Sequence, residues 1–205
     1  MNPLTAALEP LFAHLQPRLV DIYQDLHRHP ELSMQEHRTA GIAADHLERL
    51  GYAVARGVGV TGVVGVLRNG DGPTVMLRAD MDALPMAEQT GLPYASTATA
   101  TDGDGQTVSV AHSCGHDLHV TWLMGAAQVL AGARDAWRGT VMAVFQPGEE
   151  TAQGASAMVG DWDHLGLPHA DVVLGQHVMV GMAGTVRYRP GVILSAAESL
   201  KVKLF

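Results

Sequence analysis

The sequence of 205 residues has little cysteine, few aromatic residues and an excess of acidic over basic side chains. Its single cysteine excludes an internal disulfide, and an aromatic content of 5% leaves core packing to aliphatic, alanine and glycine residues. The net charge of −8 argues against binding to nucleic acid or to an anionic membrane surface. No apolar run of about 18 residues is present, so no membrane-spanning helix is expected.

The first residues, MNPLTAALEP, lack the basic start and apolar core of a secretion signal, so we expect a cytoplasmic location. A hydrophobic content of 47% against 17% charged residues is typical of a compact, soluble protein. The length suits one domain with a full core rather than two domains.

Local patterns predict alternating helices and strands. Four helices are expected: residues 5–29, 35–50 and 117–134, and a short helix that begins at 155–159. Val- and Leu-rich segments predict five strands, the last of them buried: residues 52–56, 61–68, 74–78, 139–145 and 171–174. Pro10 and Pro17 are expected to break the first helix or to mark a first turn. Asn69–Gly72 predicts a hairpin turn, and residues 96–109 predict a surface loop.

This order of elements predicts an α/β fold, a three-layer sandwich with a mixed, mostly parallel sheet. Ligands in such folds bind at the carboxyl ends of strands. Three groups of polar residues follow predicted strand ends, after Leu77, Phe145 and Leu174. Their placement predicts one site to which all three groups contribute.

The densest group of reactive side chains is AHSCGHDLHV at residues 111–120, where His112, Asp117 and His119 flank Cys114 and His116. Side chains at i and i+2 of an extended segment point the same way, so Cys114 and His116 could bind one metal ion. A thiolate beside an imidazole favours a metal such as Zn, Mn, Co or Ni. Two alternatives are a buried structural cysteine beside a surface histidine, and a cysteine nucleophile with a histidine base.

Two neighbouring acids, Glu149 and Glu150, follow a predicted strand and the turn-prone pair Pro147-Gly148. Adjacent side chains diverge, so one carboxylate could bind metal while the other acts as general base on water. The alternative is a solvated helix N-terminus, where the helix dipole favours acids.

Two further strand ends carry possible ligands. Asp80 and Asp82 lie on one face of the chain after a predicted strand, and could bind metal or orient a histidine ligand. The alternative for both is turn chemistry before Pro85. His177 follows the last predicted strand and could be a ligand or a hydrogen-bonded strand-end residue.

Together, five segments resemble the M20 metallopeptidase family, in its amidohydrolase branch with hippurate hydrolase and the hydrolases of indole-acetyl amino acids: DLHRHPELSMQEHRTA, RADMDALPM, AHSCGHDLH, QPGEET and GQHV. The resemblance implies a zinc-peptidase-like catalytic domain with two divalent metal ions (Zn, Mn, Co or Ni). It implies a set of metal ligands: Cys114, His116, Glu150 and His177. It also implies Glu149 as the general base, with Asp82 among the catalytic residues. The implied substrates are small-molecule N-acyl amino acids, whose amide bond is hydrolysed.

The same resemblance has implications for domain organisation. Family members insert a smaller lid or dimerisation domain after the GQHV region and then return with a last ligand histidine. We therefore expect a catalytic domain at residues 1–194, incomplete at its C-terminus, and the start of the lid domain at 195–205. A homodimer would be expected of the full-length protein. Two alternatives stay open: a metal-binding remnant without turnover, and a hydrolase that uses Cys114 as nucleophile.

Overall fold

Four α-helices and seven strands are present in residues 3–193, which together with residue 202 are the part of the chain that the computed structural model describes. The helices are α1 (Pro3–Arg28), α2 (His37–Arg49), α3 (His116–Gly132) and α4 (Gly154–Trp162). The strands are β1 (Ala53–Val58), β2 (Gly62–Asn69), β3 (Thr74–Asp80), β4 (Thr99–Thr101), β5 (Thr107–Ser109), β6 (Gly139–Gln146) and β7 (Val172–Gly175). The predicted start of a lid domain at 195–205 lies outside the described residues, apart from Val202. None of the helices in the described part is long and apolar enough to cross a membrane.

Five strands form one mixed sheet in the order β1-β2-β6-β3-β7. β3 pairs in parallel with both β6 and β7, whereas β2 pairs antiparallel with β1 and with β6. Four of these five strands therefore run in one direction, and only β2 is reversed. The prediction of an α/β fold with a mixed, mostly parallel sheet is confirmed.

Helices cover both faces of the sheet and so produce the three predicted layers. On one face α2 and α3 pack against the sheet while α1 packs on α3, and the buried core there includes Leu26, Leu47 and Phe145. On the other face Met158 of α4 packs against Met142 and its neighbours. The central strand β6 is buried along its whole length because side chains on both of its faces meet helices.

The first helix does not break at its prolines. α1 continues through Pro10 and Pro17 from Pro3 to Arg28. Both prolines are exposed, so water can hydrate the carbonyl that each leaves without a helical partner. Packing of Leu19 and Leu26 in the interior holds the helix on its other side. The expectation of a break in this segment was therefore wrong.

The predicted hairpin between β2 and β3 is also wrong, because β6 lies between these two strands. The chain does turn where the glycines occur, with φ of 79° at Gly70 and 153° at Gly72. Gly72 packs against the start of β6 so closely that an added Cβ would lie 3.0 Å from the Cα of Gly139. A turn sequence predicts a reversal of the chain, but it does not specify which strand fills the space beside it.

Two further local predictions need correction. Residues 96–109 are not a plain loop, since β4 and β5 form a small antiparallel pair in which Thr99 faces Ser109. The strand β7 is not buried: Val173 is 61% exposed and Leu174 is 53% exposed. β7 is the last strand of the sheet and pairs only with β3 among the described strands, so its apolar sequence did not reveal its edge position.

Candidate metal centre

The candidate site forms where three adjacent parallel strands end at one edge of the sheet. β3 ends at Asp80 and leads to Asp82, β6 ends at Gln146 and leads to Glu149 and Glu150, and β7 leads to His177. The fourth contribution comes from the N-terminus of α3. There Gly115 adopts φ of 81°, a left-handed conformation that suits glycine, and the helix begins at His116.

His116 is the centre of this arrangement. Its ring is fully buried, and Nδ1 donates to Oδ1 of Asp82 at 3.2 Å. Its Nε2 has no hydrogen-bond partner among the described residues and lies 3.9 Å from Oε2 of Glu149 and 3.8 Å from Oε1 of Glu150. A buried nitrogen lone pair without a donor is costly, and a bound cation would satisfy it.

Cys114 and His177 also belong to the cluster. Sγ of Cys114 lies 3.6 Å from Nε2 of His177, and the two histidine rings are 5.9 Å apart. Nδ1 of His177 donates to its neighbouring carbonyl at Val178 with a distance of 2.7 Å, which leaves Nε2 available as a ligand atom.

Two of the triads around His116 combine it with other residues singled out as ligands or base, and their ligand atoms lie within 4.8 Å of one another: Cys114, His116 and His177, and His116, Glu149 and Glu150. Sulfur, imidazole nitrogen and carboxylate oxygen are the donors that zinc and similar borderline ions take in proteins. Because Nδ1 of His116 donates to Asp82, the histidine offers a single lone pair, on Nε2, with which it would bind one cation. The residues present therefore fit a divalent metal site.

The electrostatic environment is strongly negative. Burial lowers the pKa of His116, but its bond to Asp82 and the surrounding carboxylates outweigh this effect and raise the pKa above its ordinary value. Burial and the nearby carboxylate of Glu150 raise the pKa of the Cys114 thiol to about 12. A thiolate nucleophile is thus disfavoured here, whereas a cation would offset the negative potential.

Asp82 is fully buried and contacts the cluster through its hydrogen bond with His116. Besides His116, its carboxylate accepts from Oγ of Ser33 at 2.6 Å and from the backbone N–H of Glu150 at 2.9 Å. Burial raises the pKa of Asp82, but these bonds outweigh it and lower the pKa overall. The structure therefore gives Asp82 a position from which it orients His116 and the Glu150 backbone.

Sequence reasoning missed the buried carboxylate of Glu36. Its Oε1 accepts from the backbone N–H of Met34 at 2.9 Å and of Gly148 at 2.8 Å, and its Oε2 accepts from the Thr61 hydroxyl. Gly148 precedes Glu149, so Glu36 holds the loop that carries both glutamates. The only local signal was an acid just before a helix, which normally indicates a helix cap.

His112 was noted in the sequence as a neighbour of Cys114 and His116. It is buried, and neither of its ring nitrogens has a hydrogen-bond partner among the residues described. Burial lowers its pKa to about 4, so the imidazole is neutral near physiological pH. His112 does not belong to any of the triads around His116.

A mixed α/β sheet whose strand ends bring together thiol, imidazole and carboxylate donors is suited to hold a divalent metal ion. The chain belongs to peptidase family M20/M25/M40, whose sequence profile matches residues 76–203. The predicted family is thereby confirmed.

Relatives and solved structures agree with this assignment. The "Probable hydrolase sll0100" of Synechocystis sp. is 42% identical over 198 residues, which are 95% of this chain and 47% of that protein. Hippurate hydrolase of Campylobacter jejuni is 37% identical over 202 residues, which are 96% of this chain and 49% of that protein. The Bacillus subtilis YXEP protein, a dinuclear metal binding peptidase from the M20 family, superposes with a TM-score of 0.69 at 35% identity over 80% of this chain and 43% of that chain. The chain spans about half the length of the curated relatives it matches.

Proposed function

We propose that residues 1–194 belong to the catalytic domain of a hydrolase that cleaves the amide bond of N-acyl amino acids. The observation that carries this proposal is the buried Nε2 of His116, which lacks a hydrogen-bond partner among the described residues and lies near the carboxylates of Glu149 and Glu150, the thiol of Cys114 and the imidazole of His177. Similarity to hippurate hydrolase supports the substrate class. The cytoplasmic location inferred from the sequence stays a prediction.

Four side chains are proposed as ligands for two divalent cations: Cys114, His116, Glu150 and His177. When bound, such ions supply Lewis-acid chemistry, which lowers the pKa of water and polarises a carbonyl group. His116 presents Nε2 because Asp82 accepts the proton of its Nδ1. His177 presents Nε2 because the carbonyl of Val178 accepts from its Nδ1.

Glu149 is the proposed general base. Glu150 is the more exposed of the two as a whole residue, but its side chain is only 21% exposed, whereas that of Glu149 is 41% exposed. Since the carboxylate is the reacting group, Glu149 is the acid more open to water and substrate. It takes a proton from the attacking water and delivers it to the amide nitrogen that leaves. The side chain of Glu150 is the more covered one, and its backbone N–H donates to buried Asp82. The loop thus gives its two carboxylates different tasks.

Paired substitutions test this assignment. We expect Glu149→Gln to retain metal and to lose about 10²- to 10⁴-fold in hydrolysis of a hippurate-like substrate, the usual contribution of a general base. Glu150→Gln serves as the matched control, and should lower metal content as well as activity. Metal is measured by elemental analysis after dialysis, and hydrolysis by release of the free amino acid. Undiminished turnover in Glu149→Gln would contradict the assignment of the base.

The two alternatives give different results in the same assays. A hydrolase with Cys114 as nucleophile would lose all activity in Cys114→Ser whatever the metal concentration, whereas a metal ligand should show lower affinity and partial rescue by excess metal. A metal-binding protein without turnover would bind cations in the wild type and hydrolyse nothing. Chelator-sensitive hydrolysis by the wild type would exclude both of these alternatives.

A further inference from the structure

We propose that His119 is a positioning residue that holds the segment carrying His177, and that Asp80 fixes the tautomer of His119 needed for this task. The inference deepens the proposed function and rests on it, since His177 is a proposed ligand. The family resemblance assigns neither residue a role, and the sequence alone left Asp80 open as a metal ligand or as a residue that orients a histidine.

The geometry determines where the proton of His119 lies. The ring is fully buried, its Nε2 lies 2.9 Å from the backbone nitrogen of Val178, and its Nδ1 is hydrogen-bonded to Oδ1 of Asp80. A backbone N–H can only donate, so Nε2 of His119 must be the acceptor. Nδ1 therefore carries the proton and donates it to Asp80.

This arrangement leaves His119 without a free lone pair. Asp80, His116 and His119 also place ligand atoms within 4.8 Å of one another, and by proximity alone they resemble a third metal triad. However, Nε2 of His119 is occupied by Val178 and Nδ1 is protonated toward Asp80. His119 is consequently not a ligand. It acts through its hydrogen bond to the backbone of Val178, and its ring also contacts that of His177 at a centroid distance of 4.6 Å.

The hydrogen bond between His119 and Val178 also constrains the position of His177. The N–H of Val178 is held by His119, and its carbonyl accepts from Nδ1 of His177 at 2.7 Å. The side chain of Val178 also packs on the turn after Cys114, where a Cβ added to Gly115 would lie 3.0 Å from Cγ2 of Val178. A shift of Val178 would therefore move the His177 ring relative to Cys114.

The need for an anchor follows from the exposure of this segment. His177 is exposed, and Met179 and Val180, which follow it, are 71% and 99% exposed. A segment with few buried apolar contacts keeps its position through specific bonds to the interior. The hydrogen bond to fully buried His119 is such a bond.

The chain of bonds continues beyond Asp80 to the loop with the glutamates. Oδ2 of Asp80 accepts from Nη1 of Arg78 at 2.7 Å, and Nε of Arg78 donates to Oε1 of Gln146 at 2.9 Å. Gln146, Asp80 and Val178 follow or end the three neighbouring strands β6, β3 and β7. One continuous set of hydrogen bonds thus links the ends of the strands that deliver the proposed ligands.

Two substitutions of His119 test its hydrogen bond to Val178 and its hydrogen bond to Asp80 separately. His119→Asn can retain a donor near the position of Nδ1 for Asp80, but it has no acceptor that reaches Val178. His119→Gln can retain an acceptor near the position of Nε2, but it loses the donor to Asp80. Titration with Co²⁺, followed by its visible absorption, should show a loss of affinity of about 10- to 100-fold for His119→Asn and a smaller loss for His119→Gln.

A double-mutant cycle distinguishes positioning from general structural damage. In a His177→Ala background, His119→Asn should have little further effect on Co²⁺ affinity, because the residue through which it acts is gone. An equal loss in both backgrounds, as expected for a direct ligand or for simple destabilisation, would overturn the proposal. Unchanged Co²⁺ affinity of His119→Asn in the wild-type background would overturn it as well.

A measurement on the unsubstituted, metal-free protein covers the case in which the variants do not fold. Long-range ¹H–¹⁵N correlation spectra of the histidine rings should show His119 with its proton on Nδ1, and a proton on Nε2 would overturn the inference alone. A wild-type protein that binds no Co²⁺ would instead overturn the proposed function, and this inference with it.

Discussion

Replacing Glu36 by alanine should destabilise the protein strongly, although Glu36 is not a proposed ligand. The carboxylate is fully buried and accepts hydrogen bonds from three separate segments through the N–H groups of Met34 and Gly148 and the hydroxyl of Thr61. Alanine would leave the two deeper donors, those of Gly148 and Thr61, without a partner. An unsatisfied buried donor costs about 1–3 kcal/mol, so this pair gives a loss of about 2–6 kcal/mol.

This loss is large compared with the total stability of a typical domain, about 5–15 kcal/mol. Glu36→Gln is the matched control. Its amide oxygen can still accept from Met34 and Gly148, and its amide nitrogen can donate to the oxygen of Thr61, so the loss should be only about 1 kcal/mol.

Urea unfolding followed by circular dichroism measures both variants. We expect the midpoint to fall much further for Glu36→Ala than for Glu36→Gln, with a similar slope in both. Because Gly148 leads into Glu149 and Glu150, Glu36→Ala should also weaken Co²⁺ binding. A Glu36→Ala protein as stable as the wild type within about 0.5 kcal/mol would refute this reasoning about buried donors.

Two further predictions concern the loop and the pH dependence of stability. Gly154→Ala should lower both the melting temperature and Co²⁺ affinity, because the added Cβ would lie 1.6 Å from the carbonyl oxygen of Pro147. Gly160→Ala in the same helix is the control: its Cβ meets no atom within 4 Å, so it should stabilise the protein by about 0.5–1 kcal/mol. Equal melting temperatures for the two variants would contradict this expectation. Burial lowers the pKa of His46, whose Nε2 donates to the carbonyl of Met124 at 3.1 Å. The unfolded chain therefore binds the proton more readily, and stability should decrease as the pH falls below about 6.5. His46→Gln keeps a donor without titrating, so its melting temperature should depend less on pH between about 7.5 and 5.5, and an unchanged dependence would exclude this role.

Much of the fold could be predicted because its elements have local signals. The segment that forms α2 repeats apolar residues at helical spacing up to Leu47 and stops before Gly51, and both features are visible without a structure. Strand order is different, because pairing depends on contacts between distant segments. The insertion of β6 between β2 and β3 and the exposure of β7 had no counterpart in the local sequence.

Some residues of the candidate site could likewise be predicted from the sequence, and others could not. Glu150 and His177 follow predicted strands, so the geometry of an α/β sheet predicted that their segments meet. The family resemblance, and not the sheet geometry, implied that Cys114 and His116 join them. Glu36 and His119 were missed because their importance depends on the partner that the fold supplies. Glu36 bonds to a residue 112 positions later in the chain, and His119 to one 59 positions later. A carboxylate just before a helix, or an imidazole within one, gives no local indication of such a partner.

X-ray absorption at the zinc edge of the zinc-loaded protein tests most directly whether thiol, imidazole and carboxylate groups from separate segments bind the same cations. We expect sulfur among the atoms bound to zinc together with nitrogen and oxygen, and the loss of the sulfur signal alone in Cys114→Ser. A wild-type spectrum with only nitrogen and oxygen ligands, unchanged in Cys114→Ser, would contradict a shared metal centre built around Cys114 and His116.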